Sequence, residues 1–188
     1  MINETIKNLV HDPAGTYLDC TFGLGGHSKK ILENLNDDGR LIAIDRDKET
    51  VSYTQKIKDK RFHFKNINFS KIESLDTRLD GIFFDLGNSS MQLDDPERGF
   101  SFQKDGPLDM RMNKEEEITA EQWINTATEK EISDVLFHLG EERKSRFYAR
   151  KIVESRKKTK FKSTAQLSLF IQKYSSSQKR HPATNVFR

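Results

Sequence analysis

The stretch from Thr16 to Asp45, TYLDCTFGLGGHSKKILENLNDDGRLIAID, constrains the fold more than any other part of the chain. A short apolar run, Tyr17 and Leu18, ends on a carboxylate, Asp19. Gly23, Gly25 and Gly26 follow, and then Ile31, Leu32 and Leu35 at helical spacing. A second apolar run, Leu41 to Ile44, ends on Asp45. Strand, glycine turn, helix, strand and acid make the βαβ unit that holds an adenosine-type ligand at the carboxyl ends of parallel strands. Glycines let the backbone approach such a ligand without a Cβ in the way. An acid closing the second strand can accept both hydroxyls of a ribose.

Around this unit the pattern predicts an amphipathic helix on Ile2, Ile6, Leu9 and Val10, and a surface helix from Asp47 to about Lys58. Phe62 to Lys65 reads as a third strand. DGIFFDL, Asp80 to Leu86, reads as a fourth, its unbroken apolar character marking a strand covered on both faces. The texture then changes. Asn88 to about Met112 is a loop long enough to suggest a job of its own. Helices follow: one opened by Thr119 with Gln122 and carrying Trp123, one opened by Thr128 with Glu131 and stopped by Gly140. A basic helix from Glu141 to about Lys158, with Phe147, Ile152 and Val153 inward, precedes one starting at Ser163 and holding Leu167, Leu169, Phe170 and Ile171. The tail from Ser175 to Ser177 is serine-rich. Strands first and helices second predict an α/β fold, an open parallel sheet followed by a helical part.

Size and composition set the outer limits. A chain of 188 residues, 32% charged and 34% hydrophobic, can bury a real core. No apolar run approaches the roughly 20 residues of a membrane span, and no signal peptide is evident at Met1. The single cysteine, Cys20, excludes an internal disulfide, fits a reducing cytoplasm and reads as structural. The net charge of +3 hides an asymmetry: 14 of the 32 Lys and Arg lie between Arg143 and Arg188 against one of the 29 acids, Glu154. The rest of the chain keeps 18 basic and 28 acidic groups. A basic third joined to an acidic body suggests a polyanion partner; the alternative is a solvated helix surface.

Several chemistries drop out. No His/Cys cluster has zinc-ligand spacing, so no metal is expected. No G-x-x-x-x-G-K-[ST] occurs. In the dinucleotide spacing counted from Gly23 the third glycine is replaced by Ser28, which weakens a nicotinamide reading. Asp85, followed by Gly87, Asn88, Ser89 and Ser90, falls at the end of the fourth strand and is expected to face the same crevice as Asp19 and Asp45. A carboxylate there either orients an amine awaiting transfer or caps a turn.

DCTFGLGGHS (Asp19 to Ser28), AIDRD (Ala43 to Asp47), DLGNSSMQLDDPERGFSF (Asp85 to Phe102), DGPLDMRM (Asp105 to Met112), GEER (Gly140 to Arg143) and HPAT (His181 to Thr184) together resemble the RsmH/MraW family. These are S-adenosylmethionine-dependent cytidine N4-methyltransferases of small-subunit (16S) ribosomal RNA. The resemblance implies a class I, Rossmann-like methyltransferase sheet, incomplete in this chain, with an inserted all-helical substrate-recognition domain. It divides the chain into a cofactor part, residues 1–92, and an rRNA-recognition part, residues 93–188. Carried over by position, it implies cofactor contacts at Gly25, Gly26, His27, Asp45, Phe69, Asp85 and Gln92. Acceptors at Asp85, Asn88 and Ser89 would act on the cytidine amine. Arg143, Lys144, Arg146, Arg150 and Lys151 would hold phosphates.

Alternatives stand beside these roles. Phe69 is otherwise core, and His27 otherwise caps a helix. Asp109 and Arg111 form an internal ion pair or touch RNA. Trp123 is read as packing rather than a base platform. The chain departs from the family at Asn88, at Asn185 after HPAT, and in stopping at Arg188. Ile82 to Leu86 is then an open apolar edge, which predicts marginal stability, weak or absent activity and a dimer through that edge. A non-catalytic RNA-binding or ribosome-assembly module is the competing reading.

Overall fold

A computed structural model describes residues 2–175 and 181–188; of the serine-rich tail, Ser176 and Ser177 lie outside the described residues. The chain forms two compact units, Met1–Ser89 with Met112–Lys114, and Ser90–Arg111 with Glu115–Arg188. Each is described by itself.

The first unit is a four-stranded parallel sheet. In chain order it runs α1 (Ile2–Leu9), β1 (Thr16–Asp19), α2 (Gly26–Leu32), β2 (Arg40–Ile44), α3 (Val51–Thr54), β3 (Phe62–Lys65) and β4 (Gly81–Phe83). The strand order is β3-β2-β1-β4. Thr16 registers with Arg40, Leu41 with Phe62, and Tyr17 with Gly81. The chain therefore winds outward from β1 to β3 and then returns to the other side of β1. Residues alternate between two cores. Tyr17 and Leu41 pack with Ile6, Ile31, Leu32 and Leu35 on one face, while Leu18 and Ile44 pack with Cys20 and Leu75 on the other. Asp59 and Arg61 clamp the entry to β3. Arg61 reaches the Asp59 carboxylate at 2.6 Å and donates to the Leu35 carbonyl at 2.7 Å. The guanidinium holds the Asp59 carboxyl down at about 2.

Two expectations fail in this unit. The helix after Asp47 is only a 3-10 turn, Lys48–Thr50, followed by the four residues of α3, because Asp47 and polar side chains satisfy the backbone locally. β4 is three residues long and is not covered on both faces: Ile82, Phe84 and Leu86 are 45%, 43% and 71% exposed. It is an edge strand, with β1 on one side and no described strand on the other.

The second unit is helical: α4 (Ser90–Asp94), α5 (Ala120–Thr126), α6 (Glu129–His138), α7 (Ser145–Arg156) and α8 (Thr164–Lys173). Its core holds Leu108, Ile124, Ile132, Leu136, Tyr148, Ile152, Phe161, Leu167, Ile171 and Phe187. Thr119 with Gln122 and Thr128 with Glu131 form complete capping boxes, and Ser163 accepts from the Gln166 amide. The long loop is partly ordered by α4 and a 3-10 turn, Pro96–Arg98. The basic helix starts at Ser145 rather than Glu141, because Glu141 takes a left-handed φ of 54°. Gly140 is required beside it for a different reason: a Cβ there would lie 2.2 Å from the Asn185 carbonyl. Tyr148, Ala149 and Ile152 form the buried face of α7, with Phe147 and Val153 only partly covered, and Leu169 on α8 is exposed.

Candidate active site

Where the winding direction of a parallel sheet reverses, the loops leaving the strand ends part and open a crevice. Here the reversal lies between β1 and β4. Three connections converge on it: the glycine turn after β1, Asp45 after β2, and Phe84 to Ser89 after β4.

The glycine turn is built from within. Gly25 sits at φ 79°, and a Cβ on it would press the Phe22 ring at 2.9 Å. Phe22 is itself buried against Phe62 and Phe64. Above Gly26, by contrast, nothing lies within 4 Å of where a Cβ would stand. The turn thus has a filled underside and an open upper face, which suits backbone approach by a ligand.

Asp45 ties this turn to β2. Its Oδ2 accepts the Gly23 N–H at 2.8 Å and its Oδ1 accepts the Asp47 N–H at 2.9 Å. The Asn66 side chain donates to the Asp45 carbonyl at 2.7 Å and fixes the strand tip. Each carboxylate oxygen has two lone pairs, so one acceptor position on each remains beyond these bonds. Burial pushes the Asp45 carboxyl above its ordinary range, against the pull of the two amides.

Asp19 does not share the crevice as expected. It is fully buried, accepting the Ser28 hydroxyl at 2.7 Å and the Thr21 amide at 3.0 Å. Burial pushes its carboxyl up as well. Ser28 at the third glycine position is thereby explained: its hydroxyl locks the start of α2 to the end of β1. Burial likewise pushes the Cys20 thiol up to about 12, which leaves it unreactive.

At β4, the Asp85 N–H donates to Thr21 Oγ1 at 2.7 Å, and its carboxylate is 63% exposed. His27 Nδ1 lies 3.7 Å from Asp85 Oδ2, and its ring rests on Phe83 with centroids 4.6 Å apart. Phe69 is not core. It is 40% exposed at the start of a 3-10 segment after β3, edge-on to Phe84 at 5.7 Å. Asn88 is exposed and Ser89 half-buried on the loop past Gly87. The structure thus joins Gly23–Gly26 with Asp45, His27 with Asp85, and Phe69 with Phe84. Gln92 is buried on α4 and belongs to the other unit. Thr21 and Asn66 hold the site without having been singled out in the sequence, although Thr21 stands within the DCTFGLGG stretch.

In the second unit Arg111 and Asp109 are an ion pair at 2.7 Å, and Arg111 also donates to the Glu116 carbonyl at 2.7 Å. Trp123 packs against the helical core and borders a cavity of about 520 Å³ that Met110, Arg111, Ile118 and Leu139 also line. Arg98 is buried to 1% exposure, with Nη2 donating to the Arg111 carbonyl at 3.1 Å. Among the described residues no group of three or more His, Cys, Asp or Glu is placed to hold a metal, and no helix is long and apolar enough to cross a membrane.

Sheet order, glycine turn and terminal acid define a Rossmann-like domain, and the family that the sequence matches is one of methylases. Residues 1–188 match the profile of the MraW methylase family, and the chain belongs to that family. A ribosomal RNA small subunit methyltransferase H of Thioalkalivibrio sulfidiphilus is 46% identical over 198 residues, covering 100% of this chain and 63% of its own length. Proteins of the same name from Idiomarina loihiensis and Buchnera aphidicola are 45% and 46% identical, with 100% of this chain and 62% and 63% of their lengths covered. The chain spans less than two thirds of the length of these relatives.

Proposed function

We propose that the first unit binds S-adenosylmethionine and that the chain serves methyl transfer to the N4 amine of a cytidine in small-subunit (16S) ribosomal RNA. The observation that carries this is the Asp45 carboxylate held against the glycine turn at the sheet's reversal point. The residues fit the group. Asp45 has acceptor capacity left for two ribose hydroxyls, the open face of Gly26 leaves room for a ligand, and the exposed Phe69 offers an apolar surface for a base. The Asp85 carboxylate suits a neighbouring positive charge.

When bound, the cofactor supplies a methyl group already activated on a sulfonium. The protein's task is positioning and electrostatics. The cytidine amine is a poor nucleophile because its lone pair is delocalised into the ring. Acceptors at Asp85, Asn88 and Ser89 would draw on its N–H, and the Asp85 carboxylate would take up the proton shed as the N–C bond forms. What supports Asp85 in this role is a backbone fixed by Thr21 and an exposed carboxylate beside His27. A base must leave its stack to arrive there.

The helical unit would grip RNA. Arg143, Lys144, Arg146 and Arg150 are exposed along α7 and the turn before it, and Lys151 pairs with Glu154 at 2.7 Å. Such contacts make binding strongly salt-dependent. The work belongs in the cytoplasm, where ribosomal subunits assemble.

Incubation with labelled adenosylmethionine and immature small subunits, followed by nucleoside analysis, tests the reading. N4-methylcytidine is the expected product. Adenosylmethionine binding without transfer would leave only its cofactor half, and RNA binding without adenosylmethionine binding would favour a non-catalytic module.

A further inference from the structure

After Glu154 the sequence contains no acidic residue. The connector from α7 to α8 carries Lys157, Lys158, Lys160 and Lys162, all exposed. A lysine run of this kind is ordinarily loose and solvated, but this one is anchored on its inner side. Phe161, between two of the lysines, is buried in the helical core. Its N–H donates to Asn125 Oδ1 at 3.0 Å, and its carbonyl accepts Asn125 Nδ2 at 2.7 Å. The Lys160 carbonyl accepts Gln166 Nε2 at 3.0 Å and the Lys162 N–H donates to Gln166 Oε1 at 2.9 Å. The Lys162 carbonyl accepts the Leu108 amide at 3.2 Å. Upstream, Arg156 Nη1 donates to the Ile124 carbonyl at 2.7 Å.

Lys104 is exposed and its main chain lies beside the end of the connector, its carbonyl accepting Thr164 Oγ1 at 3.3 Å. The nearby Asp105 carboxylate is turned toward the start of α8, accepting the Ala165 amide at 3.0 Å. Among the described residues none of these five lysines is in an ion pair, whereas Lys130 and Lys151 pair with Asp134 and Glu154 at 2.6 and 2.7 Å. Like charges on a fixed backbone repel one another, and a polyanion relieves that repulsion by displacing its own counterions. Because the backbone is already ordered, little conformational entropy is lost on contact.

We infer that Lys104 and the connector 157–162 form a preformed contact for the RNA phosphate backbone, distinct from the basic residues of α7. The inference rests on the proposed RNA substrate and adds the surface that meets it. The contact is sequence-independent, since lysine ammonium groups at this spacing read charge and not base edges.

The test compares the wild-type chain with a variant carrying Lys157→Ala, Lys158→Ala, Lys160→Ala and Lys162→Ala. The probe is a labelled fragment of small-subunit rRNA, titrated at several salt concentrations, with circular dichroism to verify the fold. The variant should bind at least about tenfold more weakly at moderate salt, and its log–log salt slope should shrink by about two to three. Adenosylmethionine binding by calorimetry should not change. Equal affinity and slope in the two chains would overturn the inference while leaving the methyltransferase reading intact. So would loss of binding to anionic lipid vesicles with RNA binding unaltered, or absence of RNA binding in the wild type. Failure to bind adenosylmethionine would instead strike the proposed function.

Discussion

The Asp45 carboxylate accepts the backbone N–H of Gly23 at 2.8 Å. One side chain thereby fixes the end of β2 against the glycine turn and keeps acceptor capacity for a ligand. Asp45→Ala should weaken adenosylmethionine binding about 100-fold or more, as two hydrogen bonds to a charged group are each worth roughly 1.5–3 kcal/mol. Asp45→Asn keeps one acceptor oxygen and should fall between the two. Calorimetric titration of the three proteins checks the order.

Acid should act on binding through the same residue. Burial holds the Asp45 carboxyl above its ordinary 3.8. As pH falls through that raised value the group takes a proton and gives up an acceptor position, so affinity should drop while pH is still above 3.8. The effect on folding has the opposite sign. A carboxyl that holds its proton more tightly folded than unfolded destabilises the fold at higher pH, and that penalty is relieved as the group protonates. Asp19, also raised, acts in the same direction on stability. Asp59, held down at about 2 by Arg61, acts in the opposite direction on stability, so the Asp45 contribution is read by comparing the wild type with Asp45→Asn, whose binding should fall less steeply with acid.

Gly25 and Gly26 should respond differently to the same substitution. Gly25→Ala forces a side chain into a φ of 79° and against the Phe22 ring at 2.9 Å. It should cost about 1–3 kcal/mol of stability, read in a thermal or urea melt. Gly26→Ala meets nothing within 4 Å, so its melt should barely move while adenosylmethionine affinity falls.

Much of this was legible in the sequence, and the reasons differ by region. The βαβ unit was legible because strand ends, glycines and acids are set by local chemistry. The capping boxes at Thr119 and Thr128 were legible because a cap needs only its own helix. Burial of Asp19 was not, since the deciding partner is Ser28 across a turn. The composition of β4 suggests a strand covered on both faces, and only the family resemblance points to the open edge that it forms, because an apolar run does not say which neighbours are present. The start of α7 at Ser145 is not legible, because nothing in the sequence signals the left-handed turn at Glu141. Roles for Asn88, Ser89 and Gln92 came from family resemblance, and their positions alone do not assign them chemistry.

The open edge of β4 should drive self-association. Ile82 and Phe84 present apolar surface on the side chains of one face while the strand's outer backbone faces solvent. A concentration-dependent dimer should appear in sedimentation. Ile82→Lys, which places a charge on that edge, should weaken it by about tenfold or more. A monomer at all concentrations would argue that the edge is shielded in another way.

The most direct test is a crystal structure of the chain with bound adenosylmethionine. Both ribose hydroxyls should lie about 3 Å from the Asp45 carboxylate oxygens, with the open face of Gly26 against the ligand and the sulfonium methyl directed toward Asp85. A sugar bound elsewhere, with Asp45 turned away from it, would contradict the account.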